Sequence, residues 1–148
     1  PNTAALSFSA YAFLAFFTVF FWGMLADKIG GRLPFILVIG ICLLAMITLT
    51  TVDSAGFMFA GMMILATGLN GFFNLWQVVL ANVFGREHLG AIRGVTDAFN
   101  STAIFVGPVA FGLLFDVTND YFWLFATAIA LWTISLVLAT LVQQSRNR

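Results

Sequence analysis

Residues 33–52 read LPFILVIGICLLAMITLTTV and contain no charged side chain. A helix of about 20 apolar residues, rising about 1.5 Å per residue, crosses the roughly 30 Å hydrocarbon core of a bilayer and satisfies its own backbone hydrogen bonds. This stretch is apolar on every side, whereas a helix on the surface of a soluble protein keeps a polar face. Residues 33–52 are therefore predicted to span a membrane.

Uncharged stretches of similar character lie before and after this one. Of the 148 residues, 61% are hydrophobic and 8% are charged, against roughly 25% charged in soluble domains. The uncharged stretch that contains residues 55–84 is longer than a single crossing needs. One long tilted helix is favoured there over two short ones. The chain is predicted to be an all-α membrane protein, a single domain over residues 1–148 with spans at 4–26, 33–52, 55–84, 95–115 and 121–142.

The charge balance and the rare residue types exclude several functional classes. The formal net charge is zero, which leaves no basic surface for nucleic acid. One cysteine and one histidine cannot form an internal disulfide or a His/Cys metal cluster. The sequence also lacks an ATP-binding glycine loop. We therefore expect no enzymatic activity, no metal and no cofactor, and we predict that Cys42 faces lipid.

The basic residues predict the orientation of the spans. They fall in two loops and the tail on one side of a five-span chain: Lys28, Arg32, Arg86, Arg93, Arg146 and Arg148. By the positive-inside rule the carboxyl terminus is cytoplasmic, in a multi-pass protein of the plasma (inner) membrane. Trp22, near the inner boundary, and Trp123, near the outer one, are expected in the aromatic belts.

Residues 23–32 read GMLADKIGGR and connect the first span to the second. The stretch resembles the cytoplasmic loop motif of the major facilitator superfamily, in which glycines, an aspartate and basic residues recur at fixed spacing. Five positions match that pattern: Gly23, Asp27, Lys28, Gly30 and Arg32. Gly31 stands where the family usually has a basic residue, a departure similar to the weaker second copy of the motif between helices eight and nine.

A second stretch, FGREHLGAIRG at residues 84–94, resembles the loop between helices ten and eleven of the same superfamily. With Gly107-Pro108 and the segment ending at Asp116, the resemblance extends over nearly the whole chain. It implies helices eight to twelve of a twelve-helix transporter, whose amino-terminal half would be the missing partner. The first residue is Pro1, not Met, which also favours a fragment.

The resemblance implies that the loop at residues 23–32 is a latch that stabilises one end state of the transport cycle. Gly23 would let neighbouring helices approach closely, and Asp27 would bind the positive end of a facing helix. Lys28 and Arg32 would anchor the turn at the lipid headgroups. The alternative is a short charged loop that only sets the topology.

Asn70, Asn74 and Gln77 fall within roughly 60° of one another on a helix, and Thr67 extends that face. Lipid offers amides no partner, so this face should point into the bundle or a water-filled cavity. Hydrogen bonding between helices would explain the pattern equally well. The resemblance implies helix ten, which lines the central cavity, and therefore a solute pathway.

The fourth span begins with Asp97 and Asn100 on one face. Asp97 is either a proton carrier or a capping or latch residue, and the second role is favoured because a charge near the surface is less costly. Since helix eleven of the family faces the opposite domain, Asp97, Asn100, Arg86 and Arg93 are candidate gating or interdomain residues.

Glycines and proline predict the local shape of two spans. Pro108, after Gly107, should kink the fourth span because proline cannot donate a backbone hydrogen bond. Close packing or bending is expected at four glycines of the third span: Gly56, Gly61, Gly68 and Gly71.

Together these features predict a secondary transporter, a symporter or antiporter that moves a small solute by alternating access. Loops of the organic-anion and monocarboxylate branch are similar to residues 84–94, although drug exporters and sugar carriers share part of the pattern. The alternative function is a membrane scaffold or subunit that binds partner helices through the same polar face.

Overall fold

The structure, a computed structural model, describes residues 2–51, 54–85 and 87–141. Within them the chain forms α1 (Asn2–Ile29), α2 (Arg32–Thr50), α3 (Ala55–Phe84), α4 (Leu89–Thr118) and α5 (Phe122–Leu141). All five are long and apolar enough to cross a membrane, which confirms the predicted fold class. The long third stretch forms one continuous helix, and α4 begins before the predicted span at 95–115.

Several helix ends carry a local signal in the sequence. Gly30 separates α1 from α2 with a φ of 82°, in the left-handed region that favours glycine. Ser54 begins α3, where its hydroxyl accepts a hydrogen bond from the Phe57 amide at 3.5 Å. Asn119 ends α4 in the left-handed conformation, and its amide donates to the Phe115 carbonyl at 2.7 Å. These local signals mark the end of α1, the start of α3 and the end of α4.

The packed part of the molecule is centred on α2. This helix packs along α3 and α5 and touches α1, while α3 also packs along α1. The main core cluster contains Phe35, Val38 and Ile39 of α2 and Leu75 and Val79 of α3. Since lipid is as apolar as these side chains, close van der Waals packing, more than hydrophobic burial, holds the helices together.

Glycines of α3 allow the backbones of α2 and α3 to approach. A Cβ atom added at Gly68 would lie 2.6 Å from the Cys42 sulfur and 3.1 Å from the Cys42 backbone nitrogen. One added at Gly61 would lie 2.7 Å from Leu49 Cδ2. At Gly56 the nearest atom is 3.8 Å away, an ordinary contact. The predicted close packing is thus found at Gly61 and Gly68 but not at Gly56.

Two side chains predicted to face the surroundings of the bundle are instead buried in it. Trp22 is 3% exposed, and its indole N–H donates to the Thr67 carbonyl of α3 at 3.0 Å. A Cβ added at Gly71 would meet this indole at 2.6 Å, so the missing side chain at Gly71 makes room for it. Cys42 is fully buried against Gly68. The aromatic-belt position of Trp22 and the lipid-facing position of Cys42 were wrong predictions.

The fourth helix is loosely attached. None of the described residues of α4 is buried, and the helix makes only a few contacts with α5 and α3. Phe99 and Phe105 are among its most exposed side chains, at 75% and 79%. Most side chains of α4, on nearly all of its sides, are therefore not covered by the other described helices.

The α2–α3 contact predicts a stability difference between two glycine variants. Gly68→Ala should lower the free energy of unfolding by about 1–3 kcal/mol, because the new methyl group overlaps a backbone atom of α2 that cannot move independently. Gly40→Ala, in the middle of α2, is the matched control, since a Cβ there meets nothing within 4 Å. The measurement is unfolding of the purified protein in detergent, followed by circular dichroism. Equal stability of the two variants would contradict close packing at Gly68.

Candidate functional site

The amide residues of α3 lie at the surface of the described bundle. Asn74 is exposed, and Asn70 and Gln77 are half-buried. The Asn70 side-chain nitrogen donates to the Ala66 carbonyl at 2.8 Å, and that of Asn74 donates to the Asn70 carbonyl at 2.6 Å. Each of these amides therefore uses one hydrogen on its own helix and keeps a second hydrogen and a carbonyl oxygen for another partner.

The glycines of the same helix lie on a different side from its amides. At about 100° per residue, Asn74 lies about 120° from Gly68 and about 60° from Gly71, whose faces contact α2 and α1. Leu75, 1% exposed, shares the packed side. The helix is therefore fixed to the bundle along one side, and its amides lie next to that side, with Asn74 exposed. Thr67, at the edge of the amide face, donates to the Met63 carbonyl at 3.0 Å.

The acidic residue of α4 has a partner on its own helix. Asp97 Oδ2 lies 3.5 Å from Arg93 Nε, and both side chains are about half exposed, at 53% and 56% respectively. An exposed pair of this spacing contributes a few tenths of a kcal/mol. Because α4 begins at Leu89, Asp97 lies more than two turns inside it and does not cap its amino terminus. The capping role proposed from the sequence is therefore wrong, whereas a gating role stays a prediction.

Other sequence-predicted residues of α4 lie on its outside. Asn100 is exposed on the same face as Asp97. Pro108 lies inside the helix, which continues without interruption to Thr118, and a Cβ added at Gly107 would meet nothing within 4 Å. The kink at Gly107 and Pro108 stays a prediction. Arg86 lies outside the described residues.

The loop motif connects two distant parts of the chain. Arg32, the first residue of α2, donates a hydrogen bond from Nη2 to the Thr140 carbonyl near the end of α5 at 2.7 Å. Gly31 is buried, and a Cβ there would lie 2.8 Å from Val78 Cγ1 of α3. Asp27 and Lys28 are exposed. The motif thus joins α2, α3 and α5 at one end of the bundle.

Gly23 does not provide the close helix contact that the sequence suggested. It is exposed, and a Cβ added there would meet nothing within 4 Å. Gly31 has the close contact instead. The rotation of α1 about its axis explains this difference. Trp22 and Ala26 of α1 are buried against the neighbouring helices, and Gly23 therefore lies on the exposed side of α1.

The family model for the Major Facilitator Superfamily matches residues 1–148. The chain belongs to the major facilitator superfamily. Members of this superfamily are membrane transporters of small solutes and not enzymes. No curated protein and no solved structure matches the chain.

Membership in the major facilitator superfamily is consistent with the chemistry available in the described residues. No group of three or more histidine, cysteine, aspartate or glutamate residues in the described ranges could hold a metal ion. Among the polar groups of the described ranges are amides on α3 and an ion pair on α4, at the surface of the described bundle. Such groups can bind and release a solute or a second protein surface through hydrogen bonds, without a chemical reaction.

Two contacts of this superfamily member could not be found from the sequence. The Arg32–Thr140 hydrogen bond joins residues 108 positions apart, and the Trp22–Thr67 bond joins residues 45 positions apart. Both acceptors are backbone carbonyls, which carry no residue-specific pattern. Only the glycines that permit these approaches left a signal in the sequence.

The orientation of α3 predicts different chemical accessibility at adjacent positions. Cysteine introduced as Asn74→Cys should react rapidly with a membrane-impermeant thiol reagent, because residue 74 is exposed on the amide face. Leu75→Cys is the matched control and should react at least about tenfold more slowly, since residue 75 is 1% exposed and buried thiols are inert. The single natural cysteine, Cys42, is buried and gives a silent background. Labelling can be quantified by mass spectrometry, and equal rates at both positions would contradict this orientation of α3.

Proposed function

We propose that this chain forms part of the carboxyl-terminal bundle of a secondary transporter, with α1 to α5 corresponding to helices eight to twelve. In this arrangement a small solute moves by alternating access, as two helical bundles rock about a site between them. The amino-terminal half of the same transporter would be the second bundle. The loop at residues 23–32 and the family match support this assignment.

The observation that carries the proposal is the open amide face of α3. Asn70, Asn74 and Gln77 offer both donors and acceptors on a helix that is largely apolar. Such groups are unfavourable against lipid, so a second bundle or a water-filled cavity beside them explains their position. Thr67, Asn70, Asn74 and Gln77 are proposed as pathway residues on this ground.

The chemistry of the proposed pathway favours recognition by hydrogen bonds. Amides are neutral and direct hydrogen bonds to hydroxyl, carbonyl or carboxylate groups of a solute. An organic anion or a monocarboxylate fits such groups, provided that the second bundle supplies the balancing positive charge. Transport would then run on a proton, an ion or the solute's own gradient, as a symporter or an antiporter.

The fourth helix is the proposed contact with the second bundle. Its described residues are not buried, and the Arg93–Asp97 pair with Asn100 forms a polar patch beside exposed apolar side chains. Asp97 and Arg93 can exchange their intrahelical contact for partners across a closing interface at little cost, since the exposed pair is weak. These residues are therefore proposed as gating residues.

The topology of the proposed transporter predicts the behaviour of fusion proteins. A green fluorescent protein fused after Arg148 should fluoresce, because the carboxyl terminus is predicted in the cytoplasm. Alkaline phosphatase fused after Asp120 should be active, because that loop is predicted on the outer side. Fusions after Gly30 serve as the internal control and should behave like those after Arg148. The opposite pattern would overturn the proposed orientation.

The transport function can be tested with the protein encoded by the full reading frame, reconstituted in proteoliposomes. Radiolabelled lactate and benzoate are the first probes, with glucose and ethidium representing the sugar and drug branches. We expect saturable uptake of lactate or benzoate, and Asn74→Leu should lower kcat/KM about five- to tenfold through one lost hydrogen bond.

Thr133→Val is the matched control for that experiment. Thr133 is exposed on α5 and bonds to its own helix backbone at 2.7 Å, as Asn74 does, but it lies away from the amide face. Its uptake should stay within about twofold of the unmodified protein, since no pathway hydrogen bond is lost. No uptake of any of the four probes by correctly folded protein would favour the scaffold function instead.

A further inference from the structure

A groove lies between α2, α3 and α5 at the end of the bundle that carries Arg32. It has a volume of about 480 Å³, within the roughly 300–1,000 Å³ of sites for small organic ligands. It extends about 10 Å along the axis of α2, from Arg32 to Ile39. We call it the α2–α3–α5 groove.

The wall of the α2–α3–α5 groove is almost entirely apolar. Phe35 of α2 stacks on Phe72 of α3 with ring centroids 5.4 Å apart, and Trp76 stacks on Phe72 at 6.2 Å. On the third side, α5 contributes Ser135 and Ala139, whose small side chains leave the space open. Such a wall excludes ions and strongly polar solutes but accepts a hydrocarbon chain.

One end of the groove is positively charged. Arg32 is the only charged residue among those that line the groove. Its guanidinium donates one hydrogen bond to the Thr140 carbonyl and, among the described residues, lies within 4.0 Å of no carboxylate. A guanidinium has five N–H donors and binds carboxylate or phosphate groups in a planar, two-point arrangement. Most of the donor capacity of Arg32 is therefore available to an anion.

The groove opens to the outside of the bundle. Phe84 of α3 and Leu138 of α5 line it and are 58% and 57% exposed. Phe84 is the last residue of α3, and Leu138 lies close to Thr140 near the end of α5, so both are at the end of the bundle that carries Arg32. Lipid headgroups of one leaflet are expected at this end, because charged loop residues lie at the membrane boundary. The groove therefore suits a molecule with an anionic head and an apolar tail, which the bilayer already orients. The tail fits the apolar wall, the head fits the positive charge of Arg32, and the opening gives access from the lipid.

We propose that the α2–α3–α5 groove binds an anionic phospholipid from the leaflet at the Arg32 end. The phosphate group lies against Arg32, and an acyl chain extends along Phe35, Trp76 and Leu138. The lipid joins three helices at the point where the packed core ends, and so strengthens the contact between α2 and α5. This site is separate from the amide face of α3 and does not depend on transport activity.

Native mass spectrometry of the purified full-reading-frame protein tests the proposal. The protein is equilibrated with equal amounts of phosphatidylglycerol and phosphatidylcholine in detergent, and bound lipid is identified by mass. We expect about fivefold more phosphatidylglycerol, the preference that one basic residue gives near anionic lipid. Arg32→Gln should reduce the ratio to about one, and Arg32→Lys should retain most of it, because both effects follow from the charge.

Three further variants separate binding at the groove from general attraction to lipid. Lys28→Gln removes an exposed positive charge at the same end that does not line the groove, and it should leave the ratio unchanged. Ala139→Phe fills the groove and should lower retention of both lipids. Brominated phosphatidylglycerol should quench tryptophan fluorescence less in Trp76→Phe than in the unmodified protein, since Trp76 lines the groove.

Three outcomes would overturn the proposal. Equal lipid ratios for the unmodified protein and Arg32→Gln would exclude recognition by this guanidinium. An equal loss in Lys28→Gln would indicate attraction to the surface alone. Absence of any retained lipid, with no change in quenching in Trp76→Phe, would mean that a protein segment fills the groove.

Discussion

The close contact between α2 and α3 determines the arrangement of the other helices. It depends on Gly68, because any side chain there would overlap the backbone of α2 at Cys42. With α3 fixed in this position, Gly71 leaves room for Trp22, which attaches α1 through a hydrogen bond to Thr67. Helices in lipid gain little from hydrophobic burial, so the places where backbones can approach decide which faces meet.

This contact also gives α3 two chemically different sides. The glycine side is held against α2 and α1, and the amide side, with Asn70, Asn74 and Gln77, is left accessible. Asn70 and Asn74 bond to their own helix and keep additional hydrogen-bonding capacity, which suits reversible binding. A solute that binds and leaves during a transport cycle requires such modest, replaceable contacts. The proposed pathway thus follows from how α3 is fixed, not only from which residues it contains.

The other helices divide between a firmly packed and a loosely attached part. Arg32 joins the beginning of α2 to the end of α5, whereas α4 has no buried residue among those described. The alternating access proposed for this chain requires both kinds of part. The packed helices keep the bundle intact, and α4 is available for contacts that form and break. The α2–α3–α5 groove lies at the edge of the packed part, where a bound lipid would add to its stability.

The local features of this protein follow from its amino-acid sequence. Long uncharged stretches predict membrane helices because a backbone in lipid must satisfy its own hydrogen bonds. Gly30 and Ser54 mark helix ends through backbone conformation and capping, which involve only nearby residues. The loop at residues 23–32 predicted the superfamily, and the polar residues of α3 and α4 were visible as faces of single helices.

Which apolar faces are buried depends on how the helices pack against one another. Lipid and a helix interior are equally apolar, so hydropathy could not reveal that Trp22 and Cys42 point inward or that Gly23 points outward. Nor could it reveal that Arg32 reaches a backbone carbonyl of α5 and closes one end of a groove. These contacts join residues far apart in the chain, and they depend on the rotation of each helix about its axis, which is fixed when the helices pack.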